Sequence, residues 1–158
     1  MPQSLSWPVR RQRAFTLVEV AVVVVILGLL AALVLPGYRR VSLKSRATAA
    51  VNDLRVFSAA FNNLSMQNGT WPAGGTGPGI IPPEMANALP DTFTKPTPIG
   101  GHYEWISNSD YKAAIGITVD GTTDMELLTM LDSIVDDGDL GNGSVILSGP
   151  DLIYIIER

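Results

Sequence analysis

Apolar and polar positions change pattern several times along the chain. From Ala14 to Leu35 the sequence AFTLVEVAVVVVILGLLAALVL is apolar almost throughout and carries one charge, Glu19. A helix of about 22 residues rises about 33 Å, enough for a bilayer core of about 30 Å. Beyond it the pattern becomes periodic. Val51, Leu54, Phe57, Phe61 and Leu64 recur every three or four residues, the stripe of a helix with one buried face. Ala47, Ala49, Ala50, Ala59 and Ala60 favour the same helix. One helix from Phe15 to Met66 would be about 78 Å long. Pro36-Gly37 is expected to kink it, because proline removes a backbone donor. Asn68-Gly69 followed by Trp71-Pro72 marks its end.

Residues 69–101 alternate glycine and proline, which excludes a continuous helix. A short helical turn fits at Glu84–Leu89, after Pro82 and Pro83. Trp71, Ile80, Ile81, Met85, Leu89 and Phe93 are too apolar for a free linker, so the segment reads as an ordered loop. Tyr103–Ile106 and Tyr111–Val119 flank Ser107-Asn108-Ser109-Asp110, the pattern of a hairpin, and Asp120-Gly121 ends its second strand. Thr123 and Glu126 match a capping box, with Thr123 as the cap of a helix that buries Leu127, Leu128, Leu131, Ile134 and Val135 and stops at Gly138. Val145–Leu147 and Leu152–Ile156 read as two further short strands. The predicted order is long helix, loop, two strands, helix, two strands: an α+β chain.

Charge is partitioned along these elements. The 158 residues carry a formal charge of −4. Arg10, Arg11 and Arg13 precede the apolar run with no acid among them; Arg39, Arg40, Lys44, Arg46 and Arg55 follow it against Asp53 alone. Residues 84–157 hold thirteen acids against Lys95 and Lys112. A basic leader, a basic neck and an acidic head therefore succeed one another, and the acidic balance argues against a nucleic-acid partner. The chain has no cysteine and one histidine, which excludes disulfides, a cysteine nucleophile and cysteine-rich metal sites.

The apolar run reads as a retained membrane helix rather than a cleaved signal peptide. It exceeds the usual signal core of about 7–15 residues, and Leu33-Val34-Leu35-Pro36 offers no small-residue cleavage site. Basic residues on both flanks leave its orientation open. Glu19 has two readings by position alone: a functional carboxylate needing a partner, or an acid near a helix end that snorkels to the interface.

Arg13-Ala14-Phe15-Thr16-Leu17-Val18-Glu19 resembles the cleavage signature of type IV prepilins and type II secretion pseudopilins. The resemblance covers residues 10–64 closely and the rest weakly. It implies an α+β, pilin-like fold: a long N-terminal helix whose first half spans the membrane and whose second half packs on a small antiparallel sheet. It implies a leader at 1–14 removed by a prepilin peptidase between Ala14 and Phe15, and N-methylation of Phe15. A membrane and assembly helix follows at 15–36, kinked at Pro36, then a head at 37–158. Ala14 departs from the commoner glycine. Glu19, fifth residue of the mature chain, would pair with the free amine of Phe15 in a neighbouring subunit. The implied function is a structural filament subunit, held in the bacterial inner membrane by a single pass with its N-terminus cytoplasmic and its head periplasmic. Implied partners are other pilin or pseudopilin subunits, an inner-membrane assembly platform and membrane lipid. A small head without disulfides favours a secretion pseudopilin over an exposed fibre. The alternative is a minor pilin, or a membrane-anchored binding domain serving filament initiation, adhesion or DNA uptake.

Other candidate chemistry is sparse. Asp136, Asp137, Asp139 and Asn142 cluster in a glycine-rich stretch, the composition of an oxygen-donor calcium loop. Pseudopilins supply a family precedent for calcium, although the spacing does not match theirs; the plain reading is a helix end followed by a solvated acidic turn. His102 lacks a second histidine for metal binding, and no spacing singles out a catalytic triad or a phosphate loop, so no enzyme is expected.

Overall fold

The structure, a computed structural model, describes residues 15–119, 121 and 123–158. The element order is α1 (Leu17–Asn68), two 3-10 turns (Pro83–Met85 and Asp91–Thr94), β1 (Tyr103–Ile106), β2 (Ala113–Thr118), α2 (Met125–Val135), β3 (Val145–Ser148) and β4 (Asp151–Glu157). This is the expected α+β architecture of one long N-terminal helix and a small antiparallel sheet. The chain divides into two compact units, residues 1–39 and 40–158.

In the first unit the backbone of α1 is helical from Leu17 onward, and the helix assignment continues through Pro36 and Gly37. An 18-residue window reaches a mean hydropathy of 3.0 and none of it is buried, so the helix is long and apolar enough to cross a membrane.

In the second unit α1 turns one face inward. Leu43, Ala47, Ala50, Val51, Leu54, Phe57 and Phe61 are buried there. Their spacing is the helical stripe, extended about two turns N-terminal of the periodic run. Across from it Tyr103 and Trp105 of β1, in the alternating pattern of a half-buried strand, and Ile115 and Ile117 of β2, a strand buried from Ala113 to Ile117, supply the inward side of the sheet. Aromatic rings form much of the joint. Phe61 stacks on Trp105 with centroids 3.8 Å apart and planes 11° apart. Phe57 meets Tyr103 and Phe93 edge to face at 4.9 and 5.1 Å. Two buried polar tips find partners: Trp105 Nε1 donates to the Pro72 carbonyl at 3.1 Å, and Tyr103 Oη donates to Asp53 Oδ2 at 2.9 Å.

The sheet is antiparallel with strand order β1-β2-β4-β3, so the C-terminal strand β4 lies inside the sheet. Consecutive strands pair in two hairpins, β1 with β2 and β3 with β4, joined through β2 and β4. The proline-rich loop is ordered as expected. Met85 and Phe93 are fully buried, each delivered by a 3-10 turn that begins at or just after a proline. The second turn had no helical signal in sequence. Gly101 adopts φ 74°, and a Cβ there would overlap the Thr118 carbonyl, so the approach to β1 needs glycine.

Candidate assembly and processing site

The site at the start of α1 is built from four residues. Ala14 lies outside the described residues, as do residues 1–13. Phe15 is 80% exposed. Thr16 and Glu19 form a reciprocal capping box. The Thr16 backbone N–H donates to Glu19 Oε2 at 3.4 Å, and the Glu19 N–H donates to Thr16 Oγ1 at 3.2 Å. The helix start leaves unpaired N–H groups, and Thr16-x-x-Glu19 satisfies two of them. The sequence contains this T-x-x-E signal, and it assigns Glu19 a local partner within its own chain. The acidic group also sits where the partial positive charge of a helix N-terminus favours it. Leu17, Val18, Val20 and Val22 through Leu27 are all exposed, an apolar surface that no part of the described chain covers.

The acidic segment after α2 is a closed turn. The cap of α2 is Asp124, whose Oδ1 accepts from Glu126 N at 3.0 Å, rather than Thr123. Aspartate one residue later wins because it is the residue directly preceding the helical N–H groups. At the far end α2 stops at Val135 with Asp136 as its cap, two residues before the expected Gly138, which takes φ 90° in the turn that follows. The expected calcium-loop residues bond to their own backbone. Asp136 Oδ2 accepts from Ser144 N at 2.6 Å and Asp137 Oδ1 from Asp139 N at 2.9 Å. Asp139 accepts from Gly141 N at 3.0 Å and from Asn142 Nδ2 at 3.2 Å. These bonds hold the Asp139 carboxyl below the usual aspartate range, led by the Gly141 amide. Among the described residues no three acidic or histidine side chains come together in a way that could hold a metal ion. Each of the three aspartates has at least one carboxylate oxygen bonded within the turn.

Asp132 was missed by the sequence reading. It is fully buried on α2, and neither carboxylate oxygen has a well-formed hydrogen bond. Burial pushes its pKa up, the nearby Asp137, Asp136 and Asp139 add to the rise, and the Gly138 amide offsets it only in part. Its helical position beside Leu128 and Leu131 was the available signal: an acid on the buried face. On the sheet, Glu104 is raised by burial and then by Asp151. Glu157 is lowered by hydrogen bonds from Lys112, at 2.8 Å, and from Trp71 Nε1, also at 2.8 Å.

Known proteins resemble the sequence that carries this site. Residues 9–35 match the family model described as the prokaryotic N-terminal methylation motif. Over 107 residues the chain is 34% identical to type II secretion system core protein G of Dickeya chrysanthemi, covering 62% of this chain and 70% of that protein. Core protein G of Vibrio cholerae serotype O1 is 30% identical over 109 residues, with 64% and 75% covered. Type IV major pilin protein PilE1 of Neisseria gonorrhoeae is 31% identical over 72 residues, and there the match spans 46% of this chain and 44% of the pilin. No solved structure matches. The shared N-terminal motif, the exposed apolar helix and the match over more than two thirds of two core G proteins agree, and the chain belongs to the type IV pilin and type II secretion pseudopilin family.

Proposed function

We propose that the chain is made as a precursor, cut between Ala14 and Phe15, methylated on the new Phe15 amine, and then built as a structural subunit into a pseudopilus of a type II secretion-like system. The observation that carries this reading is the start of α1. A capping box holds the Glu19 carboxylate at the head of an uncovered apolar helix. An exposed apolar surface of this size needs lipid or other helices around it. Before assembly, lipid covers it in the inner membrane, with the N-terminus cytoplasmic and the residue 40–158 unit periplasmic. After assembly, the same helices of neighbouring subunits cover it, delivered by an inner-membrane assembly platform. In that setting Glu19 lies among apolar helices, and the Phe15 ammonium of a neighbour is the cation the sequence supplies. The core G relatives favour secretion over an exposed fibre or a tip-located minor subunit.

Replacement of Glu19 by valine tests the reading. A more apolar helix still inserts, and loss of one partner strands the other charge at a cost of about 3–5 kcal/mol. Membrane insertion and cleavage are expected to persist while cross-linked oligomers disappear. Normal assembly of the Glu19→Val chain would remove Glu19 from the subunit contact.

A further inference from the structure

The two ends of the head differ in charge. α1 enters the second unit at Arg40. Beyond it, Arg46 Nε donates to the Pro98 carbonyl at 2.7 Å. The same loop brings Gly101 against Thr118, the end of β2 that pairs with Asp151. Arg40, Lys44 and Arg46 therefore sit at this end of the sheet. The opposite end is fixed by Glu157, which holds Lys112 and also Trp71, just past the end of α1. The Ser144 carbonyl accepts from Ile155 N and the Ser144 N–H donates to Asp136, which places the acidic turn at that end. Asp110 is there too, in the turn between β1 and β2. From Arg40 to Asn68, α1 rises about 42 Å between the two ends.

Away from the core, α1 exposes Val41, Ser45, Thr48, Ala49, Asn52 and Val56, small or apolar residues without charge. Arg40, Lys44 and Arg55 rim this face. None of the three side chains has an ion-pair or hydrogen-bond partner among the described residues. At the far end Asp110, Asp136, Asp137 and Asp139 are exposed and none is in an ion pair among the described residues, while Arg158 donates to the Gly143 carbonyl of the same turn at 3.2 Å. Asp124 and Asp151 also lie toward the cation end, so the complementarity belongs to the rim of α1 and not to that end as a whole.

We propose that the cationic rim of α1 in one copy receives the acidic end of a second copy of this chain, head to tail. Two different surfaces meet in such a contact. Each added copy leaves one surface of each kind free, and the assembly grows instead of stopping at a dimer. Opposite charge sets the register and rejects the reversed stacking, in which like charges would meet. The inference rests on the filament-subunit reading above.

The absence of cysteine makes the test clean. Full-length, membrane-processed chain carrying both Lys44→Cys and Asp137→Cys is treated with a short bis-maleimide. A ladder extending beyond dimers is expected, with the single-cysteine chains giving dimers at most. In parallel, the pair Lys44→Glu and Arg55→Glu, and separately the pair Asp110→Lys and Asp137→Lys, are each expected to lower the cross-linked fraction by roughly tenfold, and all four changes together to restore it. Native oligomers without a ladder, or charge-reversed pairs that assemble as the native chain, would each overturn the contact. If the native chain yields no oligomers with an amine cross-linker, the filament-subunit reading falls as well.

Discussion

Phe61→Ala probes the joint between α1 and the sheet. Phe61 is fully buried, stacked on Trp105 at 3.8 Å and set edge-on to Phe93 at 6.2 Å. A buried phenylalanine hides about 150–250 Å². At about 25 cal/mol per Å², that is an upper bound of roughly 4–6 kcal/mol. Alanine retains part of that area, and the cavity left between two rigid elements adds a penalty. A cost of about 3–5 kcal/mol is expected. Domains of this size have about 5–15 kcal/mol in total, so the variant would sit near the edge of folding. Denaturant unfolding of a soluble head of residues 39–158 measures the cost. Its two tryptophans, Trp71 and Trp105, have ring centroids 5.9 Å apart and lie beside the lesion, so their fluorescence reports the transition. Val56→Ala is the control: Val56 is 54% exposed on the opposite face of the same helix, and its loss is expected to cost under about 0.5 kcal/mol. A Phe61→Ala cost below about 1 kcal/mol, or equal costs for the two variants, would refute the docking of this helix face on β1.

Two further outcomes concern the acidic turn. Asp132→Asn is expected to stabilise the head at neutral pH by about 1–3 kcal/mol, because a buried carboxylate that the Gly138 amide compensates only in part is removed. A raised folded pKa means the native state holds the proton more tightly. The native head therefore loses stability as pH rises above the ordinary aspartate value of 3.8, and the advantage of the Asp132→Asn variant closes as pH falls below it; an equal or lower melting temperature for the variant at pH 7 would show that the carboxylate has a partner. Millimolar calcium is expected to leave the melting temperature of the head unchanged, since Asp136, Asp137 and Asp139 are committed to backbone amides; a rise by mass action would reassign them as ligands.

Local chemistry was legible in the sequence wherever one residue type decides the outcome. The stripe of Val51, Leu54, Phe57 and Phe61 identified both the helix and its buried face. Strand β1 begins and ends at the residues its alternation indicated, and β2 is shorter at each end than the Tyr111–Val119 run. What the pattern could not carry was partner choice. Strand order β1-β2-β4-β3 depends on which hairpin edges meet, and no local periodicity encodes that. The cap of α2 moved from Thr123 to Asp124 because adjacent residues compete for the same amides. The Thr16–Glu19 pair was visible as T-x-x-E, but a charged residue in an apolar run draws the reading toward a distant partner. Asp132 was hidden by its acidic neighbours: four aspartates within eight positions look solvated until the fold buries one of them.

The central claim is that this is a processed subunit whose apolar helix is kept. Intact-mass spectrometry of the membrane-extracted protein tests it most directly. The account predicts a mature chain that begins at Phe15, heavier by one CH2 than the unmodified sequence, the net gain of a single N-methylation. A chain that begins after Leu35, with the apolar helix removed, would contradict it.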